Sequence, residues 1–186
     1  MHARACSLVD PGVLSGYSVD ICCGSGVDAV DIALEQLRAD FSSHNAVQFN
    51  PGTVVPATGS TVHQSTDSSA RTICGDFLQT GTTIGSDAPL FSVVYDKDAF
   101  GAIQPELRSE YALACAQMCQ PEAHVLVEGK HKPDSEGGPP FHLDAETVQR
   151  HWGAAGFVLV EHFSSMYPIA RPGWEQQGFL FKLKGR

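Results

Sequence analysis

The sequence predicts an α/β protein with one open, mostly parallel sheet that has an antiparallel edge. Short apolar strands alternate with helices along the chain, a pattern typical of a parallel sheet covered on both faces. A glycine-rich turn follows the first strong strand directly. The last two strands, Gly156–Glu161 and Gly178–Leu183, are joined by a segment without a helical pattern. This ending predicts the antiparallel edge.

Length and charge limit the organisation and the partners. A chain of 186 residues can bury one sizeable core but not two. We therefore expect a loose leader over residues 1–16 and a single domain over residues 17–186. The formal net charge of -9 argues against nucleic acid and anionic membrane surfaces as partners. With no long apolar run and no secretory signal, we expect a cytoplasmic monomer that acts on a small molecule.

The cysteines and histidines do not predict a metal site. The six cysteines form no CxxC pair, and the eight histidines are scattered without a convincing cysteine partner. Structural zinc sites use paired ligands at short, repeated spacings. We therefore interpret the cysteines as reduced thiols and expect no metal ion.

The first half of the chain contains two clear strands. Tyr17–Cys22 is apolar and runs into a glycine turn, and Ala70–Cys74 is a second candidate strand. Between them, the spacing of apolar residues from Val27 to Phe41 predicts one helix. Residues 45–70 are rich in Gly, Pro, Ser and Thr, which leaves two interpretations open: a small hairpin near residues 53–63 or a mobile loop.

The second half repeats the strand and helix alternation. Phe91–Tyr95 is a buried strand, Pro105 begins a helix, and Ala123–Val127 is the next strand. Asp144 has the position of a helix cap, and the helix that it begins continues to Trp152.

The run from Asp20 to Gly26 is the first candidate binding segment. In an open α/β sheet, ligands bind where a strand passes through a glycine turn into a helix, because glycine lets the backbone approach the ligand closely. Gly24, Gly26 and Ala29 also fit a dinucleotide fingerprint. That fingerprint requires an acidic residue at a strand end about 20 residues later, which is missing here. The spacing therefore disfavours NAD.

Three later segments could share this crevice. Asp76 at a strand tip could accept a hydrogen bond from an adenine amino group, with Phe77 stacked on the base. The alternative is a helix-capping Asp followed by a core Phe. Asp96 and Lys97 are charged residues at the end of an apolar strand, which packing explains poorly. The Pro140-Phe141 turn could cover the site, or it could be a plain loop.

Together these segments resemble the thiopurine S-methyltransferase family. The runs that carry the resemblance are CCGSG, CGDF, VVYDKDAFGAIQPELRSEYA, GGPPFHLDAETVQRHW and GFLFKL, in that order from about residue 18 to the C-terminus. The resemblance implies a Rossmann-like class I methyltransferase sheet. It also implies S-adenosylmethionine as the cofactor and a small thiol or similar soft nucleophile as the methyl acceptor.

The resemblance also implies a role for each candidate residue. Lys97 replaces the usual Arg of the family near the cofactor carboxylate, which keeps the charge but loses the bidentate fork. A thiol with a pKa near 8.5 needs no strong base, so no catalytic residue is named. The implied cofactor contacts are Asp20, Cys22, Cys23, Gly24 and Gly26 at the methionine end, Asp31 at the ribose, Gly75, Asp76 and Phe77 at the adenine, and Lys97. By position in the family, Asp96 would also stabilise its turn. The candidate acceptor contacts are Asp96, Lys97, Pro140 and Phe141.

Two departures from the family pattern affect the expected activity. The N-terminal segment is shorter than in the family, and Gly26 and Asp31 are only five positions apart. About a dozen residues, roughly three helical turns, are missing between them. We therefore expect the second strand to be absent or badly formed, with Asp31 away from the ribose. An active methyltransferase, a catalytically weakened relative and, with less support, an NAD-dependent oxidoreductase remain as alternatives.

Overall fold

The computed structural model describes residues 4–9, 18–24, 50–57, 59–64, 66, 71–78, 91–134 and 137–185, and only the backbone of 4–9, 18–24 and 71–75. Its strands are β1 (Arg4–Val9), β2 (Ser18–Gly24), β3 (Thr53–Val55), β4 (Ser60–Gln64), β5 (Arg71–Asp76), β6 (Phe91–Lys97), β7 (Cys119–His131), β8 (Phe157–Phe163) and β9 (Glu175–Leu183). Its helices are α1 (Ala99–Ala102), a 3-10 turn (Pro105–Leu107), α2 (Arg108–Met118) and α3 (Ala145–Ala154).

The described strands form one mixed sheet in the order β3-β4-β5-β1-β2-β6-β7-β9-β8. Strands β2, β6 and β7 are parallel neighbours. Strand β9 lies between β7 and β8 and is antiparallel to both, which confirms the predicted antiparallel edge. Strands β3, β5, β2, β6, β7 and β8 run in one direction, and β4, β1 and β9 run in the other. The carboxyl ends of β5, β2, β6 and β7 therefore meet at one edge of the sheet.

Strand β1 occupies a place that the sequence did not predict for it. Residues 4–9, which we expected in a loose leader, pair antiparallel with β2 on one side and β5 on the other. We expected the second strand of the sheet, next to β2, to be absent. That position is occupied by β1, which precedes the glycine turn in the sequence. The backbone groups of β1 form hydrogen bonds with β2 and with β5, so neither of these strands has an unpaired edge on that side. Asp31 and the helix predicted from Val27 lie outside the described residues.

The core of the described part is built from aromatic side chains around α3. Asp144 caps this helix as predicted, because its carboxylate accepts a hydrogen bond from the Thr147 amide at 2.7 Å. Val148 and Trp152, one turn apart, are fully buried. The Trp152 ring stacks on Phe181 of β9 with a centroid distance of 5.7 Å. This packing fixes α3 and the antiparallel edge against each other.

Two other regions can be compared with the sequence-based expectations, a hairpin or loop near residues 53–63 and a helix that begins at Pro105. Residues 53–55 and 60–64 form the hairpin β3–β4, one of the two interpretations left open for that region. Helix α2 begins at Arg108, after a 3-10 turn that starts at Pro105. Among the described helices, none is long and apolar enough to span a membrane.

Candidate functional site

The candidate site lies at the sheet edge where the carboxyl ends of β5, β2, β6 and β7 meet. Gly24 at the end of β2 and Asp76 at the end of β5 share one row of the sheet, because Arg4 of β1 pairs with both. Lys97 at the end of β6 pairs with Glu128 of β7. The backbone positions Asp20, Cys22 and Cys23 are on β2 and Gly75 is on β5. Gly26 and Asp31 lie outside the described residues.

Asp76 and Phe77 have the geometry of a helix start. The Asp76 carboxylate accepts a hydrogen bond from the Leu78 amide at 3.0 Å, which is the capping interaction considered as the alternative. Phe77 is buried in the core, 4.8 Å between ring centroids from Tyr111. Asp76 is partly exposed at the sheet edge and remains a candidate contact. The Phe77 ring packs against the core in this structure.

Asp96 is held inside the protein. Its carboxylate is completely buried and accepts hydrogen bonds from the Phe100 amide at 3.1 Å and from the Tyr111 hydroxyl at 2.9 Å. One oxygen therefore supports the start of α1, and the other binds α2. The geometry favours a role in holding the turn over a direct contact with an acceptor.

Lys97 stands at the opening of the site. Its side chain is exposed, and its ammonium lies 5.8 Å from the ring centroid of Tyr167. The Tyr167 hydroxyl in turn donates to the Glu128 carboxylate at 3.0 Å. A cation at this distance is attracted by the face of the ring. Tyr167 thus connects the exposed Lys97 to the buried Glu128.

Two acidic residues near Lys97, Glu128 and Asp98, are the acceptors of a polar network. Glu128 is almost fully buried and also accepts a hydrogen bond from the Tyr95 hydroxyl at 2.7 Å. Asp98 has a positive φ of 61° and accepts hydrogen bonds from Lys130 at 2.7 Å and from Gln176 at 3.0 Å. These contacts join β6, β7 and β9 at the same edge and hold the strand ends in place.

Residues 137–143, here called the GPPF loop, cover the next part of the edge. The buried Lys132 ammonium donates to the carbonyl oxygens of Gly137, at 2.7 Å, and Pro140. The Phe141 amide donates to Gly101 at 2.7 Å, which ties the loop to α1. Pro140 and Phe141, predicted acceptor contacts, are partly buried within this loop.

Arg108 is the most unusual group beside this loop. Its side chain is only 4% exposed, and its Nε and Nη2 atoms have no hydrogen-bond partner among the described residues. The guanidinium carbon lies 5.3 Å from the Phe100 ring centroid and 5.9 Å from that of Phe141. Burial lowers the pKa of Arg108, while Asp144 and Glu106 oppose this effect. A buried cation with unused donors is suited to hold an anion.

Several of these residues were missed as site candidates. Arg108 begins a helix, where the helix dipole disfavours a cation, and this placement is a signal that the sequence carried. Glu128 ends an apolar run in β7, which is also an unusual place for a carboxylate. No local pattern marks Tyr167 or Gln176. Gln176 reaches the site through the pairing of β9 with β7, and Tyr167 lies in the segment between β8 and β9.

Comparison with known proteins gives a family match. The sequence profile of thiopurine S-methyltransferase matches residues 22–173. A thiopurine S-methyltransferase of Vibrio campbellii is 31% identical over 126 residues, which are 67% of this chain and 53% of that protein. Thiocyanate methyltransferase 1 of Brassica oleracea is 30% identical over 90 residues, 48% of this chain and 40% of that protein. The chain spans about half the length of the curated relatives that it matches.

Solved structures with some similarity are more distant. An S-adenosylmethionine-dependent methyltransferase from Clostridium acetobutylicum is 10% identical, with 52% of this chain and 59% of that chain covered and a TM-score of 0.40. The N-methyltransferase NodS of Bradyrhizobium japonicum is 13% identical, with 59% and 57% covered and a TM-score of 0.45.

Proposed function

Since the chain belongs to the thiopurine S-methyltransferase family, we propose that it transfers a methyl group from S-adenosylmethionine to a small thiol or similar soft nucleophile. The observation that carries the acceptor side is Arg108, whose buried guanidinium has unused donors beside Phe141 of the GPPF loop. Such a cation favours the thiolate form of an acceptor and lowers its pKa. No general base is then required at neutral pH.

Three features of the sheet edge support cofactor binding there. Gly24 ends β2, where a backbone without a side chain lets a ligand approach. Asp76 places a carboxylate at the end of β5, and Lys97 places an exposed cation at the end of β6. We propose that Asp76 contacts the adenine end and Lys97 the carboxylate end. When bound, S-adenosylmethionine supplies a methyl group already activated on its sulfonium, so the residues of this chain position the reactants and exclude water.

One observation favours a second candidate, a family member that binds the cofactor weakly. Arg4 sits in the sheet row between Gly24 and Asp76, close to where the family resemblance puts the ribose acid. The sequence of β1, RACSLV, contains no carboxylate, so this strand supplies no acidic residue for ribose hydroxyls. This alternative differs from the first only in affinity, so the binding measurements below decide between them.

The first test is ligand-dependent thermal stability. Because a ligand that binds only the folded state stabilises it, S-adenosylhomocysteine should raise the Tm, and NAD should not. The chain is then supplied with S-adenosylmethionine and, in separate reactions, a thiopurine, another thiol, thiocyanate or iodide, and the methylated product is measured. No Tm shift even at millimolar S-adenosylhomocysteine would favour the relative that binds the cofactor weakly. A Tm shift with NAD alone would contradict the methyltransferase proposal.

The second test separates the two interpretations of Asp76. Asp76→Ala should weaken S-adenosylhomocysteine binding by about 1–3 kcal/mol if the carboxylate holds the adenine amino group. It should also cost about 1 kcal/mol of stability, because the cap on Leu78 is lost. Asp76→Asn is the matched variant: it keeps an oxygen for the Leu78 amide and turns the other acceptor into a donor. Unchanged affinity in Asp76→Asn, measured by calorimetry, would leave only the capping role.

A further inference from the structure

One hydrogen bond of the GPPF loop depends on the protonation state of a histidine. The backbone amide of Lys132, just after β7, donates to Nδ1 of His142 at 2.8 Å. A ring nitrogen that accepts an N–H hydrogen bond carries no proton, so the structure requires a neutral imidazole with its hydrogen on Nε2. Protonation of Nδ1 would place two N–H groups against each other. This contact therefore exists only while His142 is neutral.

His142 is surrounded by ionisable groups, among them two cations and one carboxylate. From β7, the His131 ring lies 4.8 Å away between centroids, and Lys132 follows it. Arg108 faces it from α2, and Asp144, the cap of α3, is the acidic neighbour. Burial, and then His131, lowers the pKa of His142; Lys132 and Arg108 act in the same direction, and Asp144 opposes them. Nδ1 of His131 is itself buried without a hydrogen-bond partner among the described residues.

The neighbouring contacts connect His142 to the candidate site. Phe141 precedes it and lies beside the Arg108 guanidinium. The Leu143 amide follows it and donates to Lys130 of β7 at 2.9 Å. Lys132 also holds the other end of the loop through its ammonium. Of the loop contacts described here, the one at His142 changes its hydrogen-bonding capacity at mildly acidic pH.

We propose that His142 is a positioning residue: its neutral imidazole fastens the GPPF loop to the end of β7 and so keeps Phe141 beside Arg108, and a proton on the imidazole releases the loop. The importance of the Phe141–Arg108 pair for an acceptor rests on the proposed function, whereas the fastening itself does not. Protonation of Nδ1 removes the hydrogen bond from the Lys132 amide, and the hydrogen bonds of the Phe141 and Leu143 amides then open more often; no covalent bond is made or broken.

The direction in which pH changes the loop contact follows from the lowered pKa of His142. The folded-state pKa of His142 is below the ordinary value of 6.5, so the unfolded or released form binds the proton more tightly. The contact contributes fully above pH 6.5, and its contribution falls as the pH drops through the lower folded-state pKa. Release of the loop is therefore expected in mildly acidic solution and not in alkaline solution.

The test is hydrogen exchange of the ligand-free protein, followed by mass spectrometry at about pH 7.5 and about pH 5 and corrected for the intrinsic pH dependence of exchange. In the wild type, the peptide containing Phe141 and Leu143 should exchange about tenfold faster at the lower pH, as for a lost hydrogen bond. His142→Asn puts an amide oxygen near the place of Nδ1 and cannot titrate. Its loop should stay protected at both pH values. The exposed His124 of β7 provides the matched control, and His124→Asn should behave as the wild type.

A direct measurement covers the case in which His142→Asn does not fold. The nitrogen NMR shifts of the His142 ring in the wild type should show an unprotonated Nδ1 at neutral pH and a protonation step that coincides with faster loop exchange. The proposal is wrong if Nδ1 carries the proton at neutral pH. It is equally wrong if loop exchange follows the same pH course in His142→Asn. Since no cofactor is used, failure of S-adenosylhomocysteine binding would contradict the proposed function without touching this result.

Discussion

Arg108→Met should lower kcat/KM for a thiol acceptor by about a hundredfold while leaving the affinity for S-adenosylhomocysteine nearly unchanged. This hundredfold loss is the size expected when one partner of a buried, charge-assisted contact is removed. The stability of the free protein should not fall, because the lost group is a buried cation with two unpartnered nitrogens, and methionine fills a similar volume. A loss of turnover without a loss of stability would indicate that Arg108 serves ligand binding and not folding.

The control is Arg150→Met, which removes an exposed arginine of α3 from the same region. Initial rates over a range of acceptor concentrations, together with urea unfolding of each variant, separate catalysis from folding. Arg108→Lys should recover only part of the activity, because lysine cannot reproduce the guanidinium fork. If Arg108→Met turns over like the wild type, or simply unfolds, the acceptor role is wrong.

Asp96→Ala should reduce the free energy of unfolding by about 3–5 kcal/mol. The substitution leaves the Tyr111 hydroxyl and the Phe100 amide buried without their acceptor, and each unsatisfied group costs about 1–3 kcal/mol. Loss of packing at a fully buried position adds to this cost. Urea or thermal unfolding of the ligand-free protein measures the change.

Tyr111→Phe is the companion variant. It removes one donor and keeps the ring that packs on Phe77 and Phe100, so it should cost less than Asp96→Ala. The two substitutions together should cost less than their sum, because they break the same hydrogen bond. The sequence-based prediction of Asp96 as an acceptor contact would gain support instead if Asp96→Ala unfolds like the wild type but loses turnover.

The sequence predicted the elements whose signals are local. The strands near residues 18–24, 71–76 and 91–97 are short apolar runs, and the cap at Asp144 needs only a neighbour three residues away. The parallel centre and antiparallel edge followed from the order of such elements. The stiff Gly and Pro turn of the GPPF loop is also visible in the sequence, and its place over a binding site stays a prediction.

The missed features depend on pairing over long distances. Nothing in residues 4–9 says that they join two strands, one of which comes more than 60 positions later. The Glu128 network brings together side chains from β6, β7, β9 and the segment before β9. Asp76 caps the turn at Leu78, and Phe77 packs in the core. These are the roles that the alternative interpretation gave to the two residues. The place of β1 and the Glu128 network thus depend on non-local contacts, which local propensity does not predict.

The position of β9 has a consequence for the order in which the protein can fold. β9 comes later in the chain than both of its partners, β7 and β8, yet it lies between them. During synthesis these two strands must therefore wait with unpaired edges until residues 175–183 leave the ribosome. The stacked Trp152 and Phe181 pair forms at the same late moment. Completion of this half of the sheet therefore depends on its last strand, with the slow kinetics typical of high contact order and a period in which chaperones can bind the exposed strands.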